Sequence, residues 1–63
     1  PKEIFDEARF LELSERAVHC RVKRSKDVVK LKLRTKRHLF TYKTDPTTAD
    51  RLVRSIVCDI IEL

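Results

Sequence analysis

Basic side chains dominate the segment RVKRSKDVVKLKLRTKRHLFTYK, which runs from Arg21 to Lys43 and holds ten Lys or Arg residues against one acid, Asp27. Within it, basic and apolar residues alternate, as in VVKLKLR. Side chains of a strand point to opposite faces with period two, so alternate bases share a face and follow one another at about 6.6 Å. A row of this kind can meet successive phosphates of a nucleic acid, and each contact releases counterions.

The other residues with catalytic or metal-binding potential form no recognisable motif. The chain has no Gly, hence no Gly-rich phosphate loop. His19 and Cys20 are adjacent, which would place them on opposite faces of a strand and prevent a Cys–His pair from forming. A zinc site built from His19, Cys20, His38 and Cys58 would lack the paired ligand spacing that such sites use. We therefore expect neither an enzyme nor a cofactor or metal site, and we expect the two thiols to serve as small apolar side chains.

Length and composition limit the chain to a small domain. It has 63 residues and a net charge of +5, with a net of −3 over residues 1–15, +10 over residues 16–44 and −2 over residues 45–63. Two cysteines are too few for a disulfide scaffold, so we expect a reduced intracellular compartment. No apolar run is long enough for a membrane span or a signal-peptide core.

Apolar spacing divides the chain into five predicted elements. Residues Lys2–Arg16 form the first, a helix whose apolar stripe includes Ile4, Phe5, Ala8 and Leu11. Alternation predicts three strands, at Ala17–Ser25, Val28–Thr35 and Arg37–Thr44. In TDPTTADRLVRSIV, Asp45 suits the N-cap and Pro46 the first position of a second helix. The tail CDIIEL, residues 58–63, is compatible with a longer helix or with a short edge strand.

These elements predict a single α+β domain over residues 1–63: a helix, a three-stranded antiparallel sheet and a second helix, with both helices on one face of the sheet. The absence of Gly disfavours two-residue hairpin turns, so slightly longer loops are expected. Leu31 and Leu33 should be core residues, and Phe40 and Tyr42 should also point into the core. The opposite sheet face then carries the basic residues.

We expect this basic face to bind RNA, because like charges opposite each other across strands are destabilising and a polyanion relieves them. No helix has the composition of a DNA recognition helix, whereas a flat basic sheet suits folded RNA. A solvated charged face and a module for an acidic protein partner are the alternatives. The candidate RNA-binding residues are Lys2, Arg21, Lys23, Arg24, Lys26, Lys30, Lys32, Arg34, Lys36, Arg37 and Lys43.

Four segments together resemble one known family: PKEI, RFLELSER, CRVKRSKDVVKLKLRTKRHLFTYKTD and ADRLVRSI are similar to the thirty-eight-e family of large-subunit ribosomal proteins. The resemblance implies a structural constituent of the cytoplasmic large ribosomal subunit that binds rRNA, with neighbouring ribosomal proteins as further partners and no membrane or small-molecule substrate. The tail SIVCDIIEL lacks the Pro pair usual in that family. The stretch HLFTYKTDPTTADRLVRSI also resembles the Alu-RNA-binding subunits of the signal recognition particle, which is the alternative RNA-binding interpretation.

Overall fold

The computed structural model describes residues 2–63, which form five strands and two helices. In chain order these are β1 (Lys2–Ile4), α1 (Glu7–Ser14), β2 (His19–Arg24), β3 (Val29–Arg34), β4 (Leu39–Thr44), α2 (Pro46–Ser55) and β5 (Asp59–Glu62).

All five strands belong to one mixed sheet, in the order β1-β4-β3-β2-β5. The strands β2, β3 and β4 pair antiparallel, whereas β1 pairs parallel to β4 at one edge and β5 pairs parallel to β2 at the other. Four strands therefore run in one direction, and β3 runs in the opposite one. The hairpins on both sides of β3 have four-residue loops, 25–28 and 35–38, and no residue among those described has a positive φ.

The predicted fold class, with a three-stranded antiparallel sheet, is therefore wrong. Its first error is the N-terminal helix over Lys2–Arg16. Residues Lys2–Ile4 instead form β1, paired with the segment from Phe40 to Tyr42. The helix begins only after Asp6, whose Oδ1 accepts a hydrogen bond from the Ala8 amide at 3.1 Å. Hydrogen bonds to β4 hold these residues in an extended conformation. The apolar spacing could not reveal this pairing, because β4 is distant in sequence.

The second difference from the predicted three-stranded sheet is at the C-terminus. The tail, for which a longer helix and a short edge strand were both left open, forms the edge strand β5. The amide of Leu63 donates to the Val22 carbonyl at 3.0 Å, which extends the pairing with β2. The predicted start of α2 is confirmed, because the Asp45 side chain accepts from the Thr48 amide at 3.0 Å and Pro46 follows the cap. The helix ends at Ser55, and so the chain is free to return along β2.

The core lies on one face of the sheet, beneath the two helices. Leu31 and Leu33 of β3 are fully buried, as predicted, because period-two alternation places both on that face. Phe40 and Tyr42 are partly buried and pack against the same cluster. The buried apolar residues are Ile4, Phe10, Leu13, Cys20, Val22, Val29, Leu31, Leu33, Ala49 and Leu52.

Within the described residues, neither helix has the length and apolar character needed to cross a membrane.

Candidate nucleic-acid interface

The sheet face opposite the helices, which we call the open face, carries six bases. Alternation along β2, β3 and β4 directs them away from the core, since the intervening positions hold buried residues in β2 and β3 and partly buried ones in β4. The open-face bases are Arg21, Lys23, Lys30, Lys32, Arg34 and Lys43.

Strand register aligns three of these lysines into one row across the sheet. Lys30 of β3 lies directly opposite Lys23 of β2 on one side and opposite Lys43 of β4 on the other. Neighbouring strands are about 4.8 Å apart, so the three ammonium groups extend from closely spaced backbone positions. Like charges in direct cross-strand pairs repel, and the row concentrates positive potential at the middle of the open face.

A shallow depression of about 260 Å³ lies beside this row. Arg21 faces Lys32 across the β2–β3 ladder, and His19 faces Arg34 in the next open-face pair. These four side chains line the depression together with Leu39. Cationic N–H donors from two strands therefore converge on a concave spot, an arrangement that can hold a phosphate.

No open-face base has a carboxylate partner within residues 2–63, because the ion pairs of that part of the chain lie elsewhere. Arg51 of α2 donates two hydrogen bonds to Glu7 of α1, at 2.8 and 2.9 Å, and these lower the pKa of the Glu7 carboxyl. Arg9 pairs with Glu12 along α1. Glu7 and Glu12 of α1 thus pair with bases on the helices, and neither ion pair includes an open-face base.

Arg24 differs from the other candidates on the sheet. It falls on the helix side of β2, where its guanidinium lies 3.1 Å from an Asp50 carboxylate oxygen and 3.2 Å from one of Glu62. These contacts connect β2 to α2 and β5, so the Arg24 guanidinium already has two carboxylate partners in the free protein. We leave it outside the proposed interface.

The remaining predicted bases lie at the ends of the strands. Lys26 is exposed in the four-residue β2–β3 loop. Lys36 and Arg37 are exposed in the β3–β4 loop, which the Thr35 amide closes by donating to the His38 carbonyl at 2.9 Å. Lys2 begins β1 next to Phe40, near the same β3–β4 loop. The predicted set is thus divided between the open face and the two ends of the sheet.

Three side chains near the β3–β4 loop were not among the predicted site residues. Phe5 was expected in the apolar stripe of a helix, but it follows β1 and is 86% exposed. Arg9 and Arg16, from the two ends of the α1 region, line a groove with it. Their shared location depends on the parallel pairing of β1 with β4, and no local sequence signal indicated that pairing.

The thiols and imidazoles do not form a metal centre in the described part of the chain, where no group of three or more His, Cys, Asp or Glu is placed to hold an ion. Cys20 is fully buried in the core, and this burial, with smaller contributions from Cys58 and Glu62, raises the pKa of its thiol to about 12. Burial also raises the pKa of Cys58. Both cysteines are unpaired thiols.

Comparison with known proteins gives two matches. A family model described as the Ribosomal L38e protein family matches residues 1–60. A curated relative from Aeropyrum pernix, named "Large ribosomal subunit protein eL38", is 64% identical over 42 residues. That alignment covers 67% of this chain and 60% of the relative.

Proposed function

Since this chain belongs to the Ribosomal L38e protein family, as its sequence motifs predicted, we propose that it is a structural, non-catalytic constituent of the large ribosomal subunit. It binds large-subunit rRNA through the open face, in the cytoplasm. Neighbouring ribosomal proteins are its further partners. The name of the Aeropyrum pernix relative supports the assignment to the large subunit.

The main support for an RNA interface is the row of three lysines, Lys23, Lys30 and Lys43, across the open face. A small domain has little stability to spare, yet this one places three lysines directly opposite one another without a carboxylate among the described residues to offset them. Bound phosphates remove this repulsion and release their own counterions, which makes association strong at low salt. Spacing along each strand and between strands lets different bases reach different phosphates.

Folded RNA fits the open face better than duplex DNA does. The bases lie on strands of a broad sheet, whereas the exposed faces of α1 and α2 carry paired acids and bases. Proteins recognise folded RNA mainly by its shape and by its phosphates and 2′-hydroxyls, which a sheet of cationic donors can contact. An Alu-RNA-binding role in a signal recognition particle would use the same chemistry, but the family match over residues 1–60 favours the ribosomal role.

The test is sedimentation of the tagged protein from a cell lysate on a sucrose gradient. We expect it to travel with large subunits at low salt and to leave them after RNase treatment or at high salt. The matched pair of variants replaces either the open-face residues Lys30 and Lys32 or the helix residues Arg51 and Arg54 with Gln, so that both lose two charges. Release by the first pair and retention by the second supports the proposal, whereas RNase-resistant association would identify a protein partner instead.

A further inference from the structure

A groove of about 760 Å³ opens at the β3–β4 end of the molecule, on the side of the sheet away from the open face. We call it the rim groove. Its walls come from β1 and the two residues that follow it, from α1 and its C-terminal end, from the β3–β4 loop and from the start of β4. Its lining includes Phe5, Arg16, Lys36, Arg37, His38 and Phe40.

Phe5 is the unusual residue of this groove. Single exposed apolar side chains are common on protein surfaces and need no explanation. Phe5, however, is an aromatic residue that is 86% exposed beside a groove which five basic residues also line. His38 and Phe40 form a second aromatic wall, with ring centroids 5.7 Å apart in an edge-to-face arrangement.

The charges around the groove favour an anion. Five bases and two acids line it, and Arg9 is already paired with Glu12. The other four bases, Lys2, Arg16, Lys36 and Arg37, have no carboxylate partner in the described chain. Aromatic faces combined with cationic donors are the chemistry by which proteins hold unpaired nucleotides, since the base stacks and the phosphate is neutralised.

We propose that the rim groove holds one unpaired nucleotide of the RNA that the open face binds, with its base stacked on Phe5 and its phosphate held by Lys36 and Arg37. This inference rests on the proposed function. The volume is within the range of about 300–1,000 Å³ usual for small-ligand pockets. The two surfaces meet at the β3–β4 loop, which is flanked by the open-face residues Arg34 and Leu39, so one RNA can reach both.

The experiment uses the full chain and two synthetic RNA hairpins that are identical except at one bulged position. One hairpin carries a bulged adenosine, and the other carries an abasic nucleotide there, which keeps the phosphate and removes the base. Loss of stacking on one base typically corresponds to about 5- to 150-fold in affinity. We expect Phe5→Ala to weaken binding of the adenosine hairpin by a factor in this range and to leave binding of the abasic hairpin unchanged.

Two further variants separate stacking from other effects. Val57→Ala removes an equally exposed apolar side chain outside the groove, and it should affect neither RNA. Phe5→Trp should retain tight binding of the adenosine hairpin. Because the natural chain has no Trp, the indole fluorescence of this variant comes only from position 5. We expect the adenosine hairpin to quench that fluorescence and the abasic hairpin to leave it unchanged.

The outcomes distinguish the inference from the function on which it rests. If the wild type binds neither hairpin at low salt, both the proposed function and the inference are overturned. If the wild type binds both and Phe5→Ala changes neither affinity, the open face binds RNA but the rim groove holds no base. Equal weakening of both hairpins by Phe5→Ala would also overturn the inference, because it would assign Phe5 a role in folding or in general affinity.

Discussion

Replacing Lys30 with Gln should stabilise the free protein, although the residue is expected to contribute to RNA binding. Lys30 is half-buried at the middle of the lysine row, with Lys23 and Lys43 directly opposite it. Each cross-strand pair is worth roughly 0.2–1 kcal/mol, so removing two repulsive pairs should raise the free energy of unfolding by about 0.4–2 kcal/mol at low salt. Gln retains the first two methylene groups of the Lys stem, which limits the loss of packing.

The assay is urea denaturation followed by circular dichroism, because urea is uncharged and leaves the ionic strength free to vary. The Debye length falls from about 30 Å at 0.01 M salt to about 3 Å at 1 M, so the advantage of Lys30→Gln should shrink over that range. Arg54→Gln provides the matched control, with the same loss of charge in the last turn of α2. It should slightly destabilise the protein, since a cation there interacts favourably with the helix dipole.

Two results would refute this account of the open face. A lower stability of Lys30→Gln at low salt would mean that the Lys30 stem contributes more through packing than its charge costs. A gain in stability that does not depend on salt would mean that the repulsion between the lysines is already screened or absent.

Three other predictions follow from the same structure. Leu31→Ala should lower the free energy of unfolding by about 2–5 kcal/mol, because Leu31 is fully buried. A small domain has only about 3–5 kcal/mol in total, so this variant should be largely unfolded. A thermal melt by circular dichroism that resembles that of the wild type would contradict the assigned strand faces. The melting temperature of the free wild type should rise as NaCl increases, while the affinity for RNA falls; a flat or falling melting temperature would indicate that the open face is compensated within the protein. At pH 8 an aromatic disulfide reagent should modify the half-buried Cys58 faster than the fully buried Cys20, which should react only on unfolding; equal modification rates in the native protein would contradict the burial of Cys20. Since the folded pKa of Cys20 is raised from 9.0 to about 12, the free energy of unfolding should fall as the pH rises above 9 in the wild type, and less in Cys20→Ala.

The central part of the fold could be predicted from the sequence because its signals are local. Alternation of apolar and basic residues located β2, β3 and β4 to within two residues at each end, and it placed Leu31 and Leu33 in the core. The cap by Asp45 and the Pro that follows it located the start of α2. Each of these features depends on residues that are neighbours in the chain.

The two edge strands could not be predicted because their formation depends on distant partners. The three residues of β1 match a helical spacing as well as an extended one, and only their parallel pairing with β4 decides between the two. All four side chains of β5 are exposed, so the strand has no buried alternation that would reveal it, and its backbone pairing with β2 fixes its conformation.

The candidate site shows the same division. The open-face bases followed from period-two alternation, and their roles as phosphate ligands remain predictions. The alignment of the three lysines into one row could not be predicted, because it depends on the register of β3 with both neighbouring strands. The rim groove could be found only once the position of β1 was known. Phe5, predicted in the apolar stripe of a helix, follows β1 and is exposed beside the β3–β4 loop.

Binding of RNA phosphates by the open face should be visible in the salt dependence of binding. The measurement compares the slope of log K against log[NaCl] for large-subunit rRNA between the wild type and a variant with Lys30, Lys32 and Arg34 all changed to Gln. At about 0.7–0.9 per phosphate contact, we expect the slope to decrease in magnitude by roughly two to three units and the affinity to fall, while the far-ultraviolet circular dichroism spectrum stays native. An unchanged slope with a native spectrum would contradict the claim and place the RNA contacts on another surface.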